Sequence, residues 1–208
     1  MHAEDRLRAV LETIDPVALH GPWSRSLGFH LLQQPPPGAT GNQPRPLWSR
    51  GALLRGGRFT PLRVFETLYL ACDPYTALAE ARFVLHLPAG PPMITNLQPA
   101  AIITVDGVLT HVLDLAAPEI LTRLGTSVAE LTGEWRYTGG IGEIPPTHLL
   151  GKLVYESDRF FAIRYVSSKN LPHGLCLAVF PDRLVPGAAS FLQVIDAQGY
   201  LNQRFPPA

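Results

Sequence analysis

The hydrophobic pattern of the chain begins at helical spacing. Apolar residues recur every three or four positions between Leu7 and Ile14, which predicts a short amphipathic helix over residues 4–14. Asp15-Pro16 ends that helix, because the residue before a proline is biased away from helical backbone angles. The pattern therefore opens with one helix whose apolar side needs a core to pack against.

A continuous apolar run follows further along and changes the predicted element. The run from Phe65 to Ala71 predicts a buried strand. Asp73 and Pro74 come next, and aspartate at the N-cap with proline at the first helical position is a strong start signal. We predict that this helix continues to about His86 and stops before Pro88.

The middle of the chain alternates between strand and helix signals. Two β-rich runs within residues 100–115 flank Asp106-Gly107, which predicts a hairpin. Pro118–Leu124 predicts a short helix ended by Gly125, and residues 138–146 (TGGIGEIPP) predict a loop.

The last third predicts one helix, THLLGKLVYES, and then strands. The strand candidates are Phe160–Tyr165, Leu175–Phe180 and Phe191–Ile195. Because strands and helices lack regular βαβ alternation, the prediction is a single α+β domain with mixed and antiparallel sheets flanked by helices. We divide the chain into an N-terminal helix with a proline-rich loop at 33–46 (residues 1–47) and one structural unit at 48–208.

Composition narrows the function classes. Hydrophobic residues make up 46% and charged residues 16%, which is a globular composition, and the 17 basic and 17 acidic residues leave no footprint for nucleic acid or an anionic membrane. Cys72 and Cys176 are too few for a disulfide framework. With no apolar signal segment and no run long enough to cross a membrane, we expect a cytoplasmic protein.

Several familiar motifs are absent. The glycine-rich TGGIGE at 138–143 lacks both the dinucleotide fingerprint and the lysine of a phosphate-binding loop. The seven histidines form no HExxH, and no G-x-S-x-G occurs, so we expect neither a bound metal nor a hydrolase serine.

Four polar residues interrupt apolar elements. Arg58 follows Gly56-Gly57, Tyr69 lies in the predicted strand, Glu80 lies on the capped helix, and Ser167 follows a strand. Each has a plain structural alternative: a surface ion pair for the arginine, a core aromatic for the tyrosine, a solvated helix side for the glutamate, and a turn for the serine. A buried carboxylate, however, is costly unless it is partnered or used.

The order of short motifs around these residues resembles the RES domain family. The matching stretches before residue 100 are GGRF (56–59), LYLA (68–71) and ALAE (77–80). The matching stretches after it are WR (135–136), PTHLLG (146–151), RYVS (164–167) and LAVFP (177–181). Phe59-Thr60 stands where the family has Trp-Asn, and Val166 stands where it has proline.

The resemblance implies a fold like that of ADP-ribosyltransferases and a toxin that destroys NAD⁺ by hydrolysis or phosphorolysis. It implies that Glu80 stabilises positive charge on the ribose and Arg58 holds the pyrophosphate. It further implies that Tyr69 offers a flat face to the nicotinamide, and that Ser167 hydrogen-bonds the nicotinamide amide, the ribose or an attacking phosphate. No cofactor is implied; NAD⁺ is the substrate, and inorganic phosphate is the co-substrate of the phosphorolytic reaction.

The resemblance also implies a partner: an antitoxin carrying a helix-turn-helix domain. Three other functions stay open from the sequence: transfer of ADP-ribose to a protein, a non-catalytic module that binds a nucleotide or an antitoxin, and a delivered effector with an immunity partner. Direct nucleic-acid binding is disfavoured by the balanced charge.

Overall fold

The computed structural model shows a mixed α+β fold built around one long strand. The residues that the structure describes are 1–33, 44–82, 84–85, 93–95, 98–140 and 142–207. The predicted proline-rich loop at 33–46 falls mostly outside these ranges, and so does His86, the predicted end of the capped helix.

The bounds of the elements follow. The helices are α1 (Glu4–Leu11), α2 (His30–Gln33), α3 (Arg50–Arg55), α4 (Pro74–Glu80), α5 (Pro118–Leu124), α6 (Val128–Thr132), α7 (Trp135–Gly140) and α8 (Pro146–Glu156). The strands are β1 (Val17–His20), β2 (Trp23–Gly28), β3 (Leu68–Ala71), β4 (Val84–Leu85), β5 (Met93–Ile94), β6 (Ala100–Asp114), β7 (Ala162–Val166), β8 (Leu175–Val179), β9 (Phe191–Val194) and β10 (Arg204–Phe205).

The main sheet returns on itself at β6. Its strand order is β10-β9-β6-β2-β3-β8-β7, and β1 also pairs with β6. The far end of β6 pairs in parallel with β7, so the path from β6 through β2, β3, β8 and β7 closes at β6, with its other pairings antiparallel. Mixed and antiparallel pairing with flanking helices confirms the predicted α+β class.

Side-chain alternation along the strands divides the core in two. Leu68 and Leu70 of β3 pack in a cluster of strand residues, whereas Tyr69 and Ala71 face a second cluster that includes residues of α1, α5 and α8. Successive side chains of a strand point to opposite faces, so this separation follows from the sequence LYLA. It places Tyr69 on the side of the sheet that carries the helices.

The start predicted for α4 is confirmed, but its predicted end is wrong. The Asp73 carboxylate accepts a hydrogen bond from the Thr76 amide at 2.8 Å, as an N-cap should. The helix ends at Glu80, because Arg82 adopts a left-handed conformation with φ of 62°. Residues 84–85 then form β4, which pairs with β5 in a separate two-stranded sheet.

The hairpin predicted at residues 100–115 is wrong, because the whole segment is the single strand β6. Asp106 and Gly107 sit opposite Gln193 and Leu192 of β9, so they belong to a ladder and not to a turn. A Cβ at Gly107 would lie 2.1 Å from the Phe191 carbonyl oxygen. Gly107 therefore permits the close approach of β6 and β9. The dipeptide Asp-Gly occurs both in turns and at such close strand contacts, so it does not identify a turn by itself.

Other predicted elements differ mainly at their ends. Helix α5 has its predicted bounds, and the predicted strand from Phe65 is confirmed only over Leu68–Ala71. The predicted loop at 138–146 is partly wrong, since α7 extends to Gly140. The structure also contains elements that were not predicted: strands β1, β2, β4, β5 and β10 and helices α2, α3, α6 and α7. No helix within the described ranges is long and apolar enough to span a membrane.

Candidate active site

A cavity of about 620 Å³ lies beside β2, α3, β3 and α4. The start of α7 and the segment after β7 contribute further walls. Arg58, Tyr69 and Glu80 line this cavity, whereas Ser167 is fully buried and contacts it through Glu80. The structure thus brings the four residues singled out in the sequence into one cluster.

The turn that carries Arg58 is held from several sides. Gly57 and Thr60 exchange backbone hydrogen bonds of 2.9 and 3.2 Å, and the His148 ring donates from Nε2 to the Gly57 carbonyl at 2.8 Å. A Cβ at Gly57 would lie 2.5 Å from the Tyr69 hydroxyl oxygen, so only glycine lets the tyrosine pack there. The turn is therefore fixed before any ligand arrives.

Arg58 donates several of its hydrogen bonds to other groups of the protein. The residue is 8% exposed; Nη1 donates to the Leu131 and Gly133 carbonyls at 2.7 and 3.0 Å, and Nη2 donates to the Ser168 hydroxyl at 2.7 Å. A guanidinium has five N–H donors. Two have no partner among the described residues and can meet a ligand. Arg58 thus joins the end of α6 to the segment after β7 and offers a limited hold on an anion.

The Tyr69 hydroxyl is likewise engaged in the turn. It accepts a hydrogen bond from the Phe59 amide at 3.0 Å and is hydrogen-bonded to the Thr60 hydroxyl at 2.8 Å. Burial raises the pKa of Tyr69 to about 12, so the phenol stays neutral at physiological pH. What Tyr69 presents to the cavity is therefore its ring more than its hydroxyl.

We expect Tyr69→Phe to lose about 1–3 kcal/mol of unfolding free energy while the aromatic wall remains, because the Phe59 amide loses its acceptor. The wild-type protein should lose stability as the pH rises from 10 through 12, since the unfolded phenol ionises near 10 and the folded one near 12. Denaturant titrations at pH 8 and pH 11 measure both effects. If Tyr69→Phe were as stable as the wild type at pH 8, the Tyr69 hydroxyl would not stabilise the turn as described.

Glu80 is held by Ser167. The serine hydroxyl donates to Glu80 Oε1 at 2.6 Å and accepts from the amides of Lys169 and Asn170, both at 3.1 Å. Glu80 Oε2 has no hydrogen-bond partner in the part of the chain that the structure describes. The arrangement fixes one carboxylate oxygen and leaves the other for a ligand, which makes Ser167 a positioning residue.

Two titratable neighbours of the carboxylate, Cys176 and Tyr165, stay neutral. Burial, reinforced by the negative charge of Glu80, raises the pKa of the Cys176 thiol and of the Tyr165 phenol well above their ordinary values. A thiol with a raised pKa is a poor nucleophile. Glu80 is therefore the anionic group at this end of the cavity.

Ser168 is a site residue that the sequence analysis missed. It accepts the hydrogen bond from Arg58 while its neighbour Ser167 holds Glu80, so two adjacent serines tie the guanidinium and the carboxylate to one short segment. The double serine in RYVSS was the available signal, but the pattern does not show which hydroxyl meets which partner.

Arg25 is the second missed residue. It lies on β2 and lines the cavity; its Nη2 donates to the Trp48 carbonyl at 2.7 Å, while Nη1 is buried without a partner among the described residues. Burial lowers the pKa of this guanidinium to about 10. The sequence carries one indication of this residue: Arg25 lies two positions from both Trp23 and Leu27, so in a strand it shares their buried face.

Basic groups dominate the cavity although the whole chain is neutral. The charged lining residues are Arg25, Arg55, Arg58, Arg82, Arg136 and Lys169, against Glu80 and Glu134. Lys169 pairs with Glu134 at 3.4 Å. The remaining excess of positive charge suits a ligand with at least two negative charges.

Comparisons with known proteins bear on the family and the fold of the chain. A family model described as the RES domain matches residues 34–198. A chain of the MbcT-MbcA toxin-antitoxin complex of M. tuberculosis has a similar structure, with a TM-score of 0.59, 16% sequence identity, and coverage of 93% of this chain and 92% of that chain. At this identity the similarity shows a shared fold. No curated protein matches the sequence significantly.

Proposed function

The chain belongs to the RES domain family, and we propose that it is the toxin of a toxin-antitoxin pair, cleaving NAD⁺ between nicotinamide and ribose. One observation carries the proposal. Glu80, a carboxylate with one oxygen held by Ser167 and the other unpartnered among the described residues, faces a cavity rich in arginine. A fixed anion beside a site for phosphates is what cleavage of a pyridinium dinucleotide requires.

The chemistry follows from where charge develops. As the bond from ribose C1′ to the nicotinamide nitrogen breaks, both electrons go to the pyridinium ring, which leaves as neutral nicotinamide. The ribose gains oxocarbenium character, as in glycoside hydrolysis. Glu80 stabilises that charge, and its position is set by Ser167 before the reaction begins. No general acid is needed at the leaving group.

The remaining residues orient the dinucleotide. The Tyr69 ring offers the flat surface for nicotinamide, since its hydroxyl is engaged with the Phe59 amide and the Thr60 hydroxyl of the Arg58 turn. The pyrophosphate lies against the two donors that Arg58 retains and beside Arg25, a lining residue whose positive charge attracts it. The resemblance implies that Arg58 alone holds the pyrophosphate; we propose that Arg25 shares this role.

We expect Arg25→Met to raise the KM for NAD⁺ at least tenfold, because it removes an incompletely hydrogen-bonded guanidinium that we place against the pyrophosphate. The same variant should unfold at the wild-type temperature or higher, since a buried charge without an acidic partner is a weak stabiliser. Steady-state kinetics and thermal melts measure the two effects. Arg6→Met, an exposed arginine on α1, is the matched control. A lower melting temperature with an unchanged KM would make Arg25 purely structural.

The nucleophile decides the product. Water attacking C1′ gives ADP-ribose, and inorganic phosphate gives ADP-ribose phosphorylated at C1′. NAD⁺ labelled in its adenine, incubated with the purified protein with and without phosphate, separates these outcomes. Label on a protein band would favour transfer of ADP-ribose instead, and intact NAD⁺ in every arm would overturn the proposal in favour of a binding module.

A partner protein belongs to the proposal, because enzymatic loss of NAD⁺ would poison the cell that makes it. The similar M. tuberculosis structure is a toxin-antitoxin complex, which supports an antitoxin here too, and we propose that it carries a helix-turn-helix domain. Co-expression of the protein encoded next to this chain should restore growth and give a stable complex on gel filtration. Growth arrest that persists despite such a complex would contradict neutralisation by this partner.

A further inference from the structure

Two arginines that line the cavity have no role in the chemistry proposed above. Arg55 closes α3, and Arg136 lies over the Trp135 ring with its guanidinium carbon 4.3 Å from the ring centre. Gly56 directly follows Arg55, and a Cβ at Gly56 would lie 3.7 Å from the ring of Trp135, the residue before Arg136. Neither arginine has an acidic partner among the described residues, and both line the cavity.

A series of contacts links Glu80 to Trp135, and both residues line the cavity. Glu80 is held by Ser167; the adjacent Ser168 accepts from Arg58, and Arg58 donates to Gly133. Gly133 is followed by Glu134 and then Trp135. The carboxylate and the tryptophan therefore mark opposite ends of this series, with Arg58 between them.

A dinucleotide laid along this series has a defined direction. With its nicotinamide ribose at Glu80 and its pyrophosphate at Arg58, its adenosine reaches Trp135. Aromatic rings and guanidinium planes both stack on bases, so Trp135 with Arg136 over it forms a platform for adenine. The adenosine ribose then lies near the guanidinium groups of Arg55 and Arg136.

In Rossmann dinucleotide sites an acid hydrogen-bonds the 2′-hydroxyl of this ribose in NAD⁺, whereas an arginine accommodates the 2′-phosphate of NADP⁺, and the same charge logic applies to this cavity. Glu134 is the acidic residue lining this end, and it is paired with Lys169 and 70% exposed. We infer that Arg55 and Arg136 bind the 2′-phosphate of an adenine nucleotide, and that NADP⁺ is a substrate alongside NAD⁺. The inference rests on the proposed function, because it extends the same pocket.

The binding test compares adenosine 2′,5′-bisphosphate with 5′-AMP by calorimetry, since the two probes differ by the 2′-phosphate alone. We expect the wild-type protein to bind the bisphosphate at least tenfold more tightly. Arg55→Gln and Arg136→Gln should each remove most of that preference, whereas Arg6→Gln, on the exposed side of α1, should keep it. Inorganic phosphate is titrated separately, because a co-substrate site would bind it without the nucleotide.

The kinetic test measures nicotinamide release from both dinucleotides. Each arginine variant should lower kcat/KM for NADP⁺ about tenfold more than for NAD⁺. Cleavage of NAD⁺ with equal binding of the two probes would overturn this inference and leave the proposed function standing. Arginine-dependent binding of inorganic phosphate without a 2′-phosphate preference would overturn it as well. Cleavage of neither dinucleotide would overturn the proposed function and the substrate claim together.

Discussion

Glu80→Gln should reduce NAD⁺ cleavage by about 10²–10³-fold at saturating substrate, the range typical for loss of one fixed electrostatic group. The amide keeps the shape of the side chain and an oxygen that can accept from the Ser167 hydroxyl. What it loses is the negative charge that faces the developing oxocarbenium ion. Because the charge acts in the transition state, kcat should fall far more than KM rises.

Two controls separate catalysis from folding in this experiment. Circular dichroism and thermal melting of Glu80→Gln should match the wild type, since the hydrogen bond to Ser167 persists. Glu119→Gln, an exposed carboxylate in the first turn of α5, should leave turnover unchanged. Turnover within threefold of the wild type in Glu80→Gln would remove Glu80 from the mechanism.

Gly151→Ala should have the largest effect on stability. A Cβ at this position would lie 2.0 Å from the Phe59 carbonyl oxygen and 2.7 Å from its carbonyl carbon, so backbone must move. Phe59 is fully buried and directly follows Arg58, which means that α8 packs against the turn of the active site. Overpacking of this kind costs about 1–3 kcal/mol, and this clash with backbone belongs at the upper end.

Denaturant unfolding measures the effect of Gly151→Ala, with the nicotinamide-release assay alongside. Gly140→Ala at the end of α7 is the matched control, because a Cβ there meets nothing within 4 Å and alanine is the better helix former. Equal stability of the two alanine variants would show that the turn carrying Arg58 yields without strain, contrary to the fixed geometry described here.

Local signals predicted elements well where they were self-contained. The Asp73 cap and the glycine after α5 fix helix ends through hydrogen bonds and backbone angles within a few residues. The hairpin prediction at Asp106-Gly107 was wrong because the same dipeptide occurs in turns and at close strand contacts. Here it pairs with β9, which is distant in the sequence. Arg82 ended α4 early through a left-handed conformation that its residue type does not predict.

For the site too, the sequence identified residues but did not predict the tertiary contacts that they make. The motif order pointed to Arg58, Tyr69, Glu80 and Ser167, and the structure brings them together. It also shows that several N–H donors of Arg58, and the Tyr69 hydroxyl, are already hydrogen-bonded within the protein. Such competition is set by tertiary contacts, such as the carbonyls at the end of α6, and has no counterpart in spacing along the chain.

The measurement that tests the central claim most directly is a crystal structure of Glu80→Gln with NAD⁺ bound. We predict C1′ of the nicotinamide ribose within about 3.5 Å of the residue-80 side chain, which is the separation of reacting groups. The pyrophosphate should contact Arg25 and Arg58, and adenine should lie against Trp135. NAD⁺ bound outside this cavity, or with its adenosine at residue 80, would contradict the account.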